Sequence, residues 1–393
     1  MTERYHDFLK RLYGLTRFGE KFDLSGPREL QRFLGWPLQD YPSILIGGTN
    51  GKGSTCKFLE HGLRALGLRT GLFTSPHLNF FSERIQVDGQ PVSDDWLANE
   101  GLRLIDWAEA NGVSFFEAAW GLASCAFREM NADVVIWEVG LGGRLDATNV
   151  AAPVASAITN IALDHTQVLG DTLEAIAREK SAIFRPDKPA LTAAHGAGLR
   201  ALQTVIEQHV TVVDPLPSDV ELSLSGLHQR RNAALALEVG RALGHPLDAE
   251  HLSGTCWPGR CEQIESFLLD VAHNPAALET LSEWVRANRG SDVNVIFGAM
   301  QDKDLRQMAH MIESFADTIT LVTPDYPRRI AADQLATYFS QPVQICDSVT
   351  DAIDGCRDRP STVVCGSSFL VAEARAHLLG IEYPEFGIRT TAR

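Results

Sequence analysis

Short apolar runs alternate with amphipathic stretches along nearly the whole chain. Residues 43–46 form the first run, and residues 52–66 behind it carry helical spacing. A short strand is expected over 70–74, helices over 94–111 and 116–130, and a strand over 133–139, apolar around Trp137. A strand over 154–159 and a helix over 173–184 continue the series. The pattern weakens over 214–226, a helix covers 228–243, and Trp257-Pro258-Gly259-Arg260 reads as a linker. A second series follows, with strands over 267–272, 293–297, 318–323, 343–346 and 362–365. Such alternation predicts an α/β protein with parallel sheets covered by helices on both faces. The expected organisation is a P-loop-type, mostly parallel ATPase domain over 1–258, then a smaller Rossmann-like α/β domain over 259–393.

Composition narrows the class. The chain has 393 residues, 45% hydrophobic and 22% charged, as expected of a globular protein with at least two domains. Its formal net charge of −15 argues against a nonspecific nucleic-acid or anionic-membrane partner. Seven scattered cysteines without metal-ligand spacing suggest reduced thiols. The polar N-terminus does not read as a signal peptide, and the most apolar stretch, 113–127, is interrupted by Glu117. A cytoplasmic location is the expectation.

The polar motifs begin where strands end, where ligands sit in parallel α/β sheets. The first is Gly47-Gly-Thr-Asn-Gly-Lys-Gly-Ser-Thr55. Its glycines let backbone N–H groups approach phosphate oxygens, and the helix that follows directs its positive end there. Lys52 adds a mobile charge, while Ser54 and Thr55 add hydroxyls for phosphate or Mg²⁺. Gly53 separates Lys52 from Ser54, unlike the usual Gly-Lys-Ser/Thr order. Gly140-Leu-Gly-Gly143 lacks the spacing of a dinucleotide fingerprint and reads instead as a substrate loop.

Further motifs follow in order: Ser75-Pro-His-Leu78, Glu83-Arg84-Ile85, Glu138 to Asn149, Asp164-His165, Glu179-Lys180, Gly259-Arg260, Asp270 to Pro275, and Asp302-Lys-Asp304. Together with the loop they resemble folylpolyglutamate synthases and bifunctional dihydrofolate synthase/folylpolyglutamate synthases of the Mur ligase superfamily, over nearly the whole chain. The resemblance implies ATP-dependent ligation of L-glutamate to dihydropteroate and to reduced folates through an acyl phosphate. It implies ATP contacts from Asn50, Gly51, Lys52, Gly53, Ser54, Thr55, Asn232, Arg260 and Asp270. It implies Mg²⁺ ligands at Ser54, Ser75, Glu138 and His165, and a second Mg²⁺ held through carbamylated Lys180. Pterin contacts would come from Asp23, Leu24, Ser25, Gly26, Ser114, Phe115, Phe116, Glu117, Leu145, Asp146 and Ala147. His273 and Ser367 would face glutamate, and Lys52, His165, Lys180 and Arg260 would carry the catalytic roles. Phe115 and Phe116 are candidates to stack on a flat pterin, and Phe115 reads almost as well as a core aromatic opening a helix.

This sequence departs from the resemblance at Ala118, Ala182 and Cys261-Glu262. A folylpolyglutamate synthase alone, another Mur-type amino-acid ligase, and a nucleotide-binding regulator are the alternatives. Only about 40 residues precede the first strand, fewer than an extra UDP-binding domain needs. The expected partners are small molecules, with no nucleic acid or membrane, and the expected state is a monomer.

Overall fold

The computed structural model describes residues 2–15 and 23–382. They fall into two compact units. Among the described residues, the first comprises those up to Ser223 together with Gln229–Thr255; the second comprises Leu224–His228 and residues 256–382.

Eight strands make the first unit's sheet: β1 Ser43–Gly47, β2 Thr70–Phe73, β3 Ile85–Val87, β4 Gln90–Pro91, β5 Val134–Glu138, β6 Pro153–Ile158, β7 Ala190–Thr192 and β8 Thr211–Val212. Their order is β4-β3-β2-β5-β1-β6-β7-β8. All neighbours are parallel except β2/β3, joined through residues 74–84, and β3/β4, which turns back at Asp88-Gly89. Every residue of β1, β2 and β5 is buried, so these strands read as apolar runs without alternation. Trp137 is fully buried, and its indole N–H donates to the Ser43 hydroxyl at 3.1 Å. Its ring meets Phe127 at 5.2 Å and Phe73 at 5.7 Å between centroids, within the range where aromatic pairs attract. The sheet's middle is therefore a rigid platform beneath the strand ends.

The alternation does not foretell the helices Glu3–Gly14 and Ser25–Phe33, which pack outside the strand series. The first buries Tyr5, Phe8, Leu9, Leu12 and Tyr13, the spacing of one helical face.

The second unit has six strands: β9 Glu262–Ile264, β10 Phe267–Leu269, β11 Asn294–Phe297, β12 Thr318–Leu321, β13 Gln344–Ile345 and β14 Thr362–Cys365. Their order is β13-β12-β11-β14-β10-β9, parallel except for the β9/β10 hairpin. Its core gathers Leu268, Val295, Phe297, Leu321 and Val363. The expected strand over 343–346 shortens to the exposed edge strand β13. None of the seven cysteines is in a disulfide. No helix among the described residues is long and apolar enough to cross a membrane.

Candidate active site

The strand order gathers the first unit's chemistry. β2, β5, β1 and β6 are consecutive neighbours, spaced about 4.8 Å apart as strands are. Ser75 follows β2, Glu138 ends β5, the glycine-rich loop follows β1, and residues 159–165 follow β6. Parallel register sets Ile46 opposite Glu138 and Gly47 opposite Ile158, so all four ends open on the same edge. Glu138 is buried, and its Oε2 accepts the Ser75 backbone N–H at 2.8 Å.

The loop itself is shaped for close approach. Gly48 has φ +135°, and a Cβ there would lie 1.9 Å from Thr159 Oγ1. Gly51 has φ +85°, and its Cβ would lie 2.4 Å from Asn232 Oδ1. Neither position accepts a side chain. The loop is tied to the β6 loop: Thr49 N–H donates to Asn160 O at 3.0 Å, and Asn50 N–H donates to Asn160 Oδ1 at 2.8 Å. Thr49 Oγ1 donates to Ala162 O and accepts from Ala162 N–H, both at 3.1 Å. The helix Lys52–Ala65 begins at once, presenting its N-terminus to the loop. Ser54 and Thr55 are buried in that first turn. Ser54 Oγ accepts from Gln229 Nε2 at 3.3 Å, whereas Thr55 Oγ1 has no hydrogen-bond partner among the described residues. Gln229 Oε1 in turn accepts from Asn232 Nδ2 at 2.9 Å. Gln229 and Asn160 thus support the loop, and neither was singled out from the sequence.

Two lysines converge on one carbonyl. Lys52 Nζ donates to Gly48 O at 3.2 Å and Thr49 O at 3.0 Å. Lys180, on the helix Leu173–Ser181, is 4% exposed and donates to Gly48 O at 2.9 Å. Burial, with Lys52 adding like charge, brings its pKa from 10.5 down to about 7, against the pull of Asp164 and Asp146. His165 has φ +50° and caps the short helix Thr166–Leu169. Its backbone N–H donates to Asp164 Oδ1 at 2.8 Å.

The residues expected at the pterin also converge. A Cβ on Gly26 would lie 3.4 Å from Glu117 Oε1, so segments 23–26 and 114–117 adjoin. A Cβ on Gly140 would lie 2.6 Å from the Phe116 ring and 3.1 Å from Asp146 Oδ2. Ser114 and Glu117 cap the helix Phe115–Glu129 reciprocally: Glu117 Oε2 accepts Ser114 N–H at 2.7 Å, and Ser114 Oγ accepts Glu117 N–H at 3.3 Å. Asp146 Oδ1 accepts from Thr148 N–H at 3.0 Å and Oγ1 at 2.6 Å, and Oδ2 accepts from Leu141 N–H at 2.9 Å. Burial pushes its carboxyl above the usual range, and these donors offset part of that shift. Phe115 stacks on Tyr13 at 5.3 Å with Arg84 over its ring at 5.1 Å, so its π-face has partners within the protein. Phe116 meets Phe73 edge-on at 5.7 Å.

In the second unit, Asp270 shapes the turn that carries Arg260. Its Oδ2 accepts Cys261 N–H at 2.9 Å and its Oδ1 accepts Ala272 N–H at 2.8 Å. Arg260 Nη1 donates to Gly259 O at 3.1 Å. His228 faces both Asp270 and Arg260; burial lowers its pKa, and its Nδ1 has no partner among the described residues. His273 and Ser367 follow neighbouring strands β10 and β14, whose loops are joined by Gly366 N–H donating to Ala272 O at 2.8 Å. His273 Nδ1 lies 2.8 Å from Val271 O, and Ser367 Oγ caps the helix Ser368–Leu379.

The site fits nucleotide and metal. Two glycines leave room only for backbone, a helix N-terminus and a lysine supply positive charge, and a buried hydroxyl lacks a partner. Among the described residues, no three His, Cys, Asp or Glu side chains gather as a metal-holding group.

Comparison with known proteins agrees. The Mur ligase middle domain matches residues 46–195, and the Mur ligase glutamate ligase domain matches residues 259–367. The dihydrofolate synthase/folylpolyglutamate synthase of Bacillus subtilis is 33% identical, covering 85% of this chain and 89% of that protein. A probable bifunctional folylpolyglutamate synthase/dihydropteroate synthase of Haloferax volcanii is 32% identical over 94% of this chain, which spans 50% of that longer protein. A structure of Escherichia coli FolC with DHPP and ADP superposes with TM-score 0.86 at 30% identity, covering 96% of this chain and 98% of that one. A Yersinia pestis bifunctional folylpolyglutamate synthase/dihydrofolate synthase with AMPPNP and Mn gives 0.86 at 29%, covering 95% and 98%. The chain belongs to the Mur ligase family of ATP-dependent ligases, in the branch of the dihydrofolate and folylpolyglutamate synthases.

Proposed function

We propose that this chain joins L-glutamate to dihydropteroate, giving dihydrofolate, and to reduced folates, extending a glutamate chain. The observation that carries the reading is the succession of strand ends β2, β5, β1 and β6. They bring Ser75, Glu138, the glycine-rich loop and the 159–165 loop to one edge. The names of the relatives support both activities.

The pterin acid's carboxylate attacks the terminal phosphorus of ATP, and the bond to the leaving ADP oxygen breaks. The acyl phosphate formed is then attacked by the α-amine of glutamate; the C–N bond forms, phosphate departs, and the amine releases its proton. Backbone N–H groups of residues 51–54 hold the phosphates, and Lys52 leaves its carbonyl partners to offset charge on the transferring group. Arg260 supplies a second positive charge. Ser54, Ser75, Glu138 and His165 would hold Mg²⁺, which offsets the phosphoryl charge when bound. Lys180, with its lowered pKa, is a nucleophilic amine near neutral pH. It takes up CO₂ as a carbamate, losing a proton to solvent, and so provides a carboxylate for a second ion. Phe116 and Asp146 meet the pterin, while His273 and Ser367 meet glutamate.

The deciding assay supplies ATP and glutamate with dihydropteroate or a reduced folate in parallel, reading ADP and product mass. ADP release that needs both acid and glutamate is expected with each. Turnover of reduced folates alone would leave a folylpolyglutamate synthase; turnover of neither would point to another Mur-type ligase.

A further inference from the structure

Apart from Ser75, the loop between β2 and β3 has no part in the chemistry above, yet it is heavily fastened. The Glu83 carboxylate accepts three consecutive backbone N–H groups: Leu78 at 2.7 Å, Asn79 at 3.0 Å and Phe80 at 2.9 Å. Its neighbour Arg84 is buried and donates from Nε to His77 Nδ1 at 2.7 Å. The buried His77 ring therefore carries its proton on Nε2, which lies 3.1 Å from the Tyr13 hydroxyl. The loop is also closed at its base, where Thr74 N–H donates to Arg84 O at 3.0 Å. The first amide inside this closed loop is that of Ser75, and it holds Glu138 Oε2.

We propose that Glu83 and Arg84 are positioning residues, which fix the Ser75 loop and thereby the direction of the Glu138 carboxylate. The proposal rests on the reading that Ser75 and Glu138 face a divalent ion. A carboxylate accepting several N–H bonds is a strong, directional anchor. Without it, three adjacent amides lose their shared acceptor and the loop samples other conformations. The fraction of molecules with Ser75 N–H on Glu138 falls, and apparent metal affinity falls in proportion. Removing such an outer partner typically costs about tenfold or more in metal affinity.

The test compares wild type with Glu83→Ala, Glu83→Gln and Arg84→Lys. Mn²⁺ binding in the presence of a non-hydrolysable ATP analogue is followed by electron paramagnetic resonance of the free ion. Mg²⁺ dependence of turnover and the thermal midpoint are recorded alongside. Glu83→Ala should weaken Mn²⁺ binding and raise the Mg²⁺ half-saturation by about tenfold, with turnover recovering at high Mg²⁺ and the KM for the pterin acid unmoved. Glu83→Gln, which keeps one accepting oxygen, should fall between. A lowered thermal midpoint with metal affinity unchanged would reduce the loop to a structural element and overturn the proposal. Should Glu83→Ala fail to fold, unchanged affinity in both milder variants would do the same. Glu138→Gln is the control. If it binds Mn²⁺ like wild type, the metal reading itself fails, and this inference with it; if it does not, the Glu83 result stands alone.

Discussion

Lys180 makes folding depend on pH in a direction that can be worked out. Its pKa is lowered to about 7 in the fold and returns to 10.5 when the chain unfolds. Between those values the unfolded state holds a proton that the folded state lacks, so stability rises with pH across this window. The cost is full below about pH 7 and gone above about pH 10.5. At 1.36 kcal/mol per unit it amounts to roughly 4–5 kcal/mol when full, and it relaxes by roughly 2–3 kcal/mol between about pH 6 and about pH 9. Lys180→Met keeps the aliphatic stem and removes the titration, so the stability gap between variant and wild type should narrow by that amount over the same range. Urea unfolding followed by tryptophan fluorescence, in CO₂-depleted buffer at a series of pH values, measures the gap with other titrations cancelled. A gap that stays flat from about pH 6 to about pH 9 would show that Lys180 is not held as a neutral amine. Adding bicarbonate at the alkaline end should then stabilise wild type alone, because the carbamate forms on the folded state and not on the variant.

Glu138→Gln should fold normally by circular dichroism yet lose about two orders of magnitude in Mg²⁺-dependent turnover, since an amide cannot offset the cation's charge; near-normal activity would remove Glu138 from the metal site. Gly48→Ala forces a side chain onto Thr159 at φ +135° and should cost at least about 1–3 kcal/mol in backbone strain, together with nucleotide binding, read by thermal midpoint and fluorescent-nucleotide titration. Arg260→Ala should slow acyl-phosphate formation, seen as a reduced ADP burst, while pterin-acid binding by calorimetry stays near wild type; equal losses in both would place Arg260 elsewhere.

Much of the first sheet was legible because burial on both faces leaves apolar runs such as Val134–Glu138, and because the motifs mark strand ends. The neighbour order was not legible: parallel strands pair across long crossovers, and nothing in residues 43–47 names 134–138 as their partner. The β3/β4 hairpin did carry a local signal. Asp88-Gly89, with φ +52° and +76°, is the two-residue turn that such a hairpin demands. The N-terminal helices escaped a reading keyed to strands, since they lie outside the strand series. Supporting residues escaped for a different reason. Asn160 and Gln229 act through hydrogen bonds made only after folding, those to Asn50 and Ser54 at separations of 110 and 175 residues.

The same separation explains what the polar motifs are doing. Ser114 with Glu117, Asp146, Asp270 and Glu83 each spend their oxygens first on backbone N–H groups of their own loops. These loops sit where parallel strands end, and a strand end leaves N–H groups that no ladder satisfies. A carboxylate answers several of them at once and also fixes the turn. Resemblance marks such residues because the turn is shared, and resemblance alone does not distinguish a residue that touches ligand from one that shapes the loop around it. Geometry begins to make that distinction. Glu83 is occupied by three amides and acts at a distance, through Ser75, on Glu138. Lys180 reaches the phosphate loop itself, through a carbonyl it shares with Lys52. Substitutions at the first kind of residue should shift affinities that saturating ligand restores. Substitutions at the second kind should remove chemistry that no ligand concentration returns.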